Sequence, residues 1–224
     1  WEEVYMPLNN SYDEQAVVQA IASALETFYG TLIEKIEGLN IQKVMKRKNP
    51  YLYRAKAMQS ATEIVDSVLT AFVSSSEETI FGNCFFEPIA IAASGGNKAL
   101  AEGIDIMIQN NETNTISAIA VKSGPSVFNA DSKKRQEQNF TAASKLAQQA
   151  KARYEAYIGY CYGKKKESGR GKPKMYQELA GKRFWAELTG DEDFYIKIIE
   201  YMGTMPEKYV ADYKESYNRA ANRL

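Results

Sequence analysis

The stretch GIDIMIQNNETNTISAIAVKSGPSVFN, residues 103–129, decides how this chain is read. Two apolar runs, near 104–109 and 115–122, flank the polar, asparagine-rich NNETN, which is the pattern of a β-hairpin. Side chains alternate across a strand, so Ile104, Ile106 and Ile108 share one face, with Asp105, Met107 and Gln109 on the other. On the second run Ile119 and Val121 share a face, opposite Ala118, Ala120 and Lys122. The simplest pairing puts both isoleucine rows in the core and brings Asp105 beside Ala120 and Lys122. An unpaired charge among aliphatic side chains is costly, so the two charges are expected to meet at one edge of the sheet. A structural ion pair accounts for that meeting as well as an active centre does.

Composition narrows the chemistry. The chain has 224 residues, 45% hydrophobic and 25% charged, as expected of one large globular domain. No apolar run approaches the roughly 18 residues of a membrane span, and no secretory signal is expected. Cys84 and Cys161 are the only cysteines, which suits a reduced, cytoplasmic protein. There is no histidine, which removes Ser-His-Asp and Cys-His hydrolases and His-ligated zinc sites. Any bound metal is expected to be a hard cation on oxygen ligands. The formal net charge is zero, yet the first 40 residues are acidic and three basic clusters follow: KVMKRKNPYLYRAK (43–56), DSKKRQ (131–136) and GKKKESGRGKPK (163–174). Each alone reads as a solvated face; together they suit a phosphate-facing surface if they converge.

Around the hairpin the periodicity predicts helices over 12–38, with Ser11 and Glu14 as a capping box, and over Ala55–Val73. The serine run Ser74–Ser76 is expected to break the second, and a new helix to start near Ser75 with its own box, Ser75 and Glu78. Glu77 reads as a solvated acid at that helix start. Gly95-Gly96 ends this element. A helix over 131–151 and a tyrosine-rich strand over 153–163 follow, and the remainder, including YQELAGKRFWAEL, reads as mostly helical. The expectation is a single domain over 1–224: a helical part to 74, a core over 75–163 and a helical part over 164–224.

An aspartate on one strand and a lysine on its neighbour, followed by a tight turn, resembles the core of the PD-(D/E)XK nucleases. The blocks KRKNPYLYRAK, SSEETIFGN, GIDIMI, AVKSGPSVFN and ELAGKRFWAELTGDEDFYIKIIEYMG occur in order over roughly 43–204, and together resemble bacterial type II restriction endonucleases. The resemblance implies an α/β fold, a PD-(D/E)XK-like mixed central β-sheet flanked by helices, with extra N- and C-terminal helices. It further implies cleavage of double-stranded DNA by a homodimer using Mg2+, with Mn2+ as a substitute, and no membrane partner. Asp105 would hold the metal, and Lys122 would position or help deprotonate the attacking water. Neither role needs histidine.

The chain departs from the pattern at Ala120, where an acid usually stands two residues before the lysine. Two substitutes are at hand: the backbone carbonyl of Val121, and a carboxylate from the preceding helix, Glu78 by the family block or Glu87 as the runner-up. Contacts to DNA are expected from Ser123, Asn129, Lys133, Lys134 and Arg135 after the catalytic strand. Lys164, Arg170 and Lys172 are expected to add to them from a loop that lacks P-loop spacing. Two alternatives stay open: a repair or junction nuclease of the same fold, and a non-catalytic DNA-binding module, which Ala120 motivates.

Overall fold

The computed structural model describes residues 7–95, 97–99, 101–165 and 174–223. Its strands, β1 (Asn97–Lys98), β2 (Ile106–Asn110), β3 (Thr115–Lys122), β4 (Arg153–Tyr160) and β5 (Gln177–Ala180), form one sheet in chain order. The first three run antiparallel, and β3, β4 and β5 run parallel, which gives the expected mixed sheet. Ile106 lies opposite Ile119 and Asn110 opposite Thr115. Asn110 Oδ1 accepts the amides of Glu112 and Thr113 at 2.9 and 3.0 Å, which tightens the turn between the strands.

The helices are α1 (Glu14–Glu37), α2 (Ile41–Met45), α3 (Pro50–Ala55), α4 (Ala61–Cys84), α5 (Phe86–Ser94), α6 (Ala130–Gln149), α7 (Lys182–Thr189), α8 (Phe194–Met202) and α9 (Glu207–Ala221). The chain forms two compact units. The first takes the residues up to Ala22 with Phe85–Gly203, and the second takes Ser23–Cys84 with the residues from Thr204 onward.

In the first unit α6 links the parallel strands β3 and β4 and covers one face of the sheet. Its Phe140 and Ala143 pack with Ala118, Ala120, Ala156 and Ile158. The other face takes α7, whose Phe184 lies so close over Gly159 that an added Cβ there would sit 2.0 Å from the ring. Strands covered on both faces are buried almost throughout, as Ala118 to Val121 are. Trp185 is buried on the same side and donates from Nε1 to the Cys161 carbonyl at 2.8 Å.

Several expectations change. Ile104 does not continue the isoleucine row: pairing begins at Ile106, and Ile104 packs with Ala118 and Ala120 on the α6 face. Gly103, at φ 70°, turns the chain just ahead of it, so strict alternation fails there. Gln177–Ala180, expected to be helical, is β5; four residues are too few to show a period, and pairing with β4 overrides the helix preference of Glu, Leu and Ala.

In the second unit α4 runs unbroken through the serines. Ser76 donates to the Phe72 carbonyl at 2.7 Å and Thr79 to that of Ser75 at 2.9 Å, so these hydroxyls bond back along the helix instead of ending it. The capping box sits one element earlier, where Ser60 Oγ accepts the Glu63 amide at 3.1 Å and Glu63 Oε2 accepts the amides of Gln59 and Ser60. Glu77, mid-helix rather than at a helix start, accepts from the Tyr213 hydroxyl at 3.1 Å. Leu32, Ile36, Leu69, Val73, Ile80 and Ala220 form this unit's core. At the start of α1 it is Asp13, not Ser11, that caps, accepting the amides of Gln15 and Ala16 at 2.9 and 3.2 Å. By length and composition α1 is also long and apolar enough to cross a membrane, which the sequence reading did not expect, yet Val17, Ile21, Ala24, Leu25, Leu32 and Ile36 are buried.

Glu178 on β5 is the most enclosed carboxylate of an ion pair among the described residues, its side chain 7% exposed. It accepts from Tyr160 Oη at 2.8 Å, pairs with Lys165 at 3.2 Å and bonds to Lys174. Burial works to raise its carboxyl, but the bonds from Lys174, Tyr160 and Lys165 outweigh burial and bring it down to about 2. A depressed carboxylate stabilises the fold above its unfolded value and loses that contribution as pH falls. The urea midpoint of the protein should therefore drop as pH falls from about 4.5 toward 2, and Glu178→Gln should flatten that slope. Gly159→Ala forces Phe184 to move and should cost about 1–3 kcal/mol in urea unfolding.

Candidate active site

The ladder between β2 and β3 stops at Ile106, one residue after Asp105. The Asp105 amide still donates to the Ile119 carbonyl at 2.9 Å, and its own carbonyl accepts from Ala99 at 3.1 Å. Its side chain then does what a further strand residue would have done: Oδ2 accepts the Val121 amide at 2.6 Å. Buried backbone donors need partners, and here a carboxylate supplies one at the end of the sheet. This bond fixes the carboxylate at the C-terminal end of β3, as the hairpin alternation anticipated.

Lys122 reaches the same place. Its Nζ lies 3.4 Å from Asp105 Oδ2 and donates to the Val121 carbonyl at 2.9 Å. The side chains are 27% and 21% exposed for Lys122 and Asp105. A contact of 3.4 Å between partly exposed groups adds about 1 kcal/mol or less to stability. One ammonium N–H is left for another acceptor, since two of its three serve Asp105 and Val121.

The neighbours of the pair are more tightly built. Tyr160 lies opposite Lys122 in the β3–β4 register, and its hydroxyl is held by Glu178. Burial, together with the adjacent Glu178 carboxylate, pushes the Tyr160 phenol far up, so it stays neutral. Cys161 is buried; burial raises its thiol well above the usual value, Lys122 works against this and Asp105 with it. It is therefore a neutral thiol near both charges, not a nucleophile. Past the strand ends the pairing continues, with the Cys161 and Tyr162 amides donating to the carbonyls of Lys122 and Ser123 at 2.9 and 3.1 Å. Ser123 thus follows the pair directly. Gly124 lies under the exposed Tyr162 ring, which an added Cβ, 2.6 Å away, would displace.

The remaining expected residues divide. Asn129 caps α6: its Oδ1 accepts the Ser132 amide at 2.8 Å while its own amide donates to Ser132 Oγ at 3.0 Å. Lys133 is half-buried and Lys134 exposed on the first turns of α6, and Arg135 is paired with Glu102, three residues before Asp105. Gln136 is buried and donates to the Gly103 carbonyl at 2.6 Å, so α6 braces the turn that delivers Asp105. The sequence reading missed Gln136, because a lone glutamine in a basic helix carries no signal. Lys164 is exposed, and Arg170 and Lys172 lie outside the described residues.

Among the acids, Glu78 is exposed on α4 and belongs to the second unit. Glu87 belongs to the first, in the opening turn of α5, a helix that packs against β2 and β3, and it pairs with Lys98 at 3.1 Å. Ala120 is fully buried against Phe140 and Ile158. Among the described residues no group of three acidic or cysteine side chains is placed to hold a metal. The oxygens gathered at the pair are the Asp105 carboxylate and the Val121 carbonyl, hard donors that already share one cation, the Lys122 ammonium. That pair of oxygens fits a hard divalent cation as a partial ligand set, completed by water or substrate oxygens.

No curated protein sequence matches the chain. A family model described as type II restriction endonuclease EcoO109I matches residues 15–209, from α1 into α9 and across the whole sheet. With that match over most of its length, and with Asp105 and Lys122 joined at the end of a mixed sheet, the chain belongs to the EcoO109I family of type II restriction endonucleases.

Proposed function

We propose that this protein is a Mg2+-dependent type II site-specific deoxyribonuclease acting on duplex DNA, with its centre at Asp105, Val121 and Lys122. The observation that carries the reading is the convergence of Asp105 Oδ2, the Val121 carbonyl and Lys122 Nζ within hydrogen-bond reach, inside the family-matched region. Asp105 and the Val121 carbonyl would hold the cation, with Mn2+ as a substitute. Glu87 is favoured over Glu78 as the further carboxylate, because its helix packs on β2 and β3. Bound there, the divalent cation supplies Lewis-acid polarisation of the phosphoryl oxygens and a lowered pKa for its water.

The chain's own groups do the rest. Water attacks phosphorus and gives up a proton to solvent, one P–O ester bond breaks, and the leaving oxygen takes up a proton from solvent. An ammonium has no lone pair, so Lys122 acts by donation: its free N–H orients the water or a phosphate oxygen and offsets charge that grows on the phosphate. The Val121 amide holds the Asp105 carboxylate in place so that it need not reorganise during the reaction. Ser123, Lys133 and Lys134 would take the flanking phosphates, with Lys164, Arg170 and Lys172 as a further set. Cutting both strands at a symmetric site calls for two such centres, hence a homodimer. The free, reduced state of Cys84 and Cys161 suits work in the cytoplasm.

Ala120 favours a second reading, a non-catalytic DNA-binding module, and cleavage separates the two. Wild-type protein with magnesium should cut plasmid DNA into discrete bands with uniform ends; random ends, or no cutting with any divalent metal, would end the proposal. Asp105→Asn and Lys122→Met should each slow cleavage by roughly 100-fold or more, with duplex binding in EDTA retained. Ala120→Glu places a carboxylate at a fully buried position. It should lower the melting temperature without metal, and magnesium should restore more stability to it than to wild type.

A further inference from the structure

The basic cluster at 43–56 has no part in the centre described above. Residues 38–62 contain no Asp or Glu, although the chain as a whole balances 28 cations against 28 acids. Within them lie Lys43, Lys46, Arg47, Lys48, Arg54 and Lys56, all exposed. Lys56 donates to Ser67 Oγ at 3.3 Å, and among the described residues the other five make no ion pair. The acids that flank the stretch are committed elsewhere: Glu37 pairs with Arg219, and Glu63 accepts the amides of Gln59 and Ser60.

These cations are not on a loose tail. Asn40 Oδ1 caps α2 by accepting the Lys43 amide at 2.8 Å, and Asn49 Oδ1 caps α3 by accepting the Tyr51 amide at 3.0 Å, with Pro50 opening the helix. The turn between them is closed by the Arg47 and Lys48 amides, which donate to the carbonyls of Val44 and Met45 at 3.1 and 3.0 Å. Buried Ile41 and Tyr53 anchor the two short helices, and α2 packs on α4. What the corner turns outward is Tyr51, 82% exposed, and Leu52, 54% exposed.

Holding like charges together on a rigid frame costs self-repulsion, which a polyanion removes. A protein partner would need about 800 Å² of well-packed surface on this side, and the corner offers two apolar side chains among the cations. A phosphodiester backbone needs only spaced cations, with an exposed ring as an optional contact. We infer that the α2–α3 corner, Lys43 to Lys56, binds the phosphate backbone of duplex DNA as a sequence-independent contact of the second unit. This rests on the nuclease reading for the choice of DNA as the polyanion.

The test is binding of the full chain to a random-sequence duplex of about 30 base pairs, in EDTA, over about 50–200 mM salt. Changing Lys46, Arg47 and Lys48 together to Gln should reduce the slope of log affinity against log salt by about 3 and weaken binding at least about tenfold. A second variant, Lys43→Gln with Arg54→Gln, reports on the same surface from the helices if the triple change disturbs the turn. Unchanged slope and affinity in both, in a protein that binds DNA, overturns the inference. So does unchanged DNA binding accompanied by lost self-association in sedimentation, which would make the corner an interface between copies. Wild-type protein that binds duplex in EDTA with the expected slope but never cuts with magnesium supports this inference and sinks only the nuclease proposal.

Discussion

Where β2 stops pairing, the amide of Val121 would be left without a backbone acceptor, and the Asp105 carboxylate takes it. The rest of the site depends on that bond. It ends the antiparallel ladder, fixes a negative charge at the C-terminal end of β3 and draws Lys122 to the same point. It also explains why a charged residue is tolerated beside fully buried Ala120: its oxygen is satisfied by the sheet itself.

Around this point strong and weak interactions are distributed unevenly. The Glu178 carboxyl is enclosed and held low by Tyr160, Lys165 and Lys174, and Trp185 is buried with its indole N–H bonded. The Asp105–Lys122 contact is longer, at 3.4 Å, and both side chains are partly exposed. Within the pair, Asp105 is held closely by the Val121 amide and only loosely by Lys122.

Legibility followed the length and regularity of each pattern. The hairpin, α6, β4 and the helices over 194–221 were readable because their periods extend over many residues. The four-residue β5 was not, since it becomes a strand only by pairing with β4. Ser-x-x-Glu occurs five times, at 11–14, 23–26, 60–63, 74–77 and 75–78. The pattern alone makes them equal, yet only Ser60 with Glu63 caps a helix as a box, because only there does the chain turn into a helix at that residue. Asn129 was readable as a polar residue near the strand end, but its use as a helix cap required the position of α6.

The sequence by itself determined the hairpin that brings Asp105 and Lys122 to one end of neighbouring strands, the absence of histidine, and hence a chemistry of carboxylate, carbonyl oxygen and ammonium. It also carried the ordered blocks that mark the family. Only the tertiary structure decided that Val121 contributes both its amide and its carbonyl, and that Glu87 rather than Glu78 shares a unit with the pair. It also buried Ala120 beneath α6, out of reach of water. The reason is physical: periodicity records which way side chains point along one element. Which backbone groups remain unpaired, and which helices close over a sheet, are settled when distant segments meet.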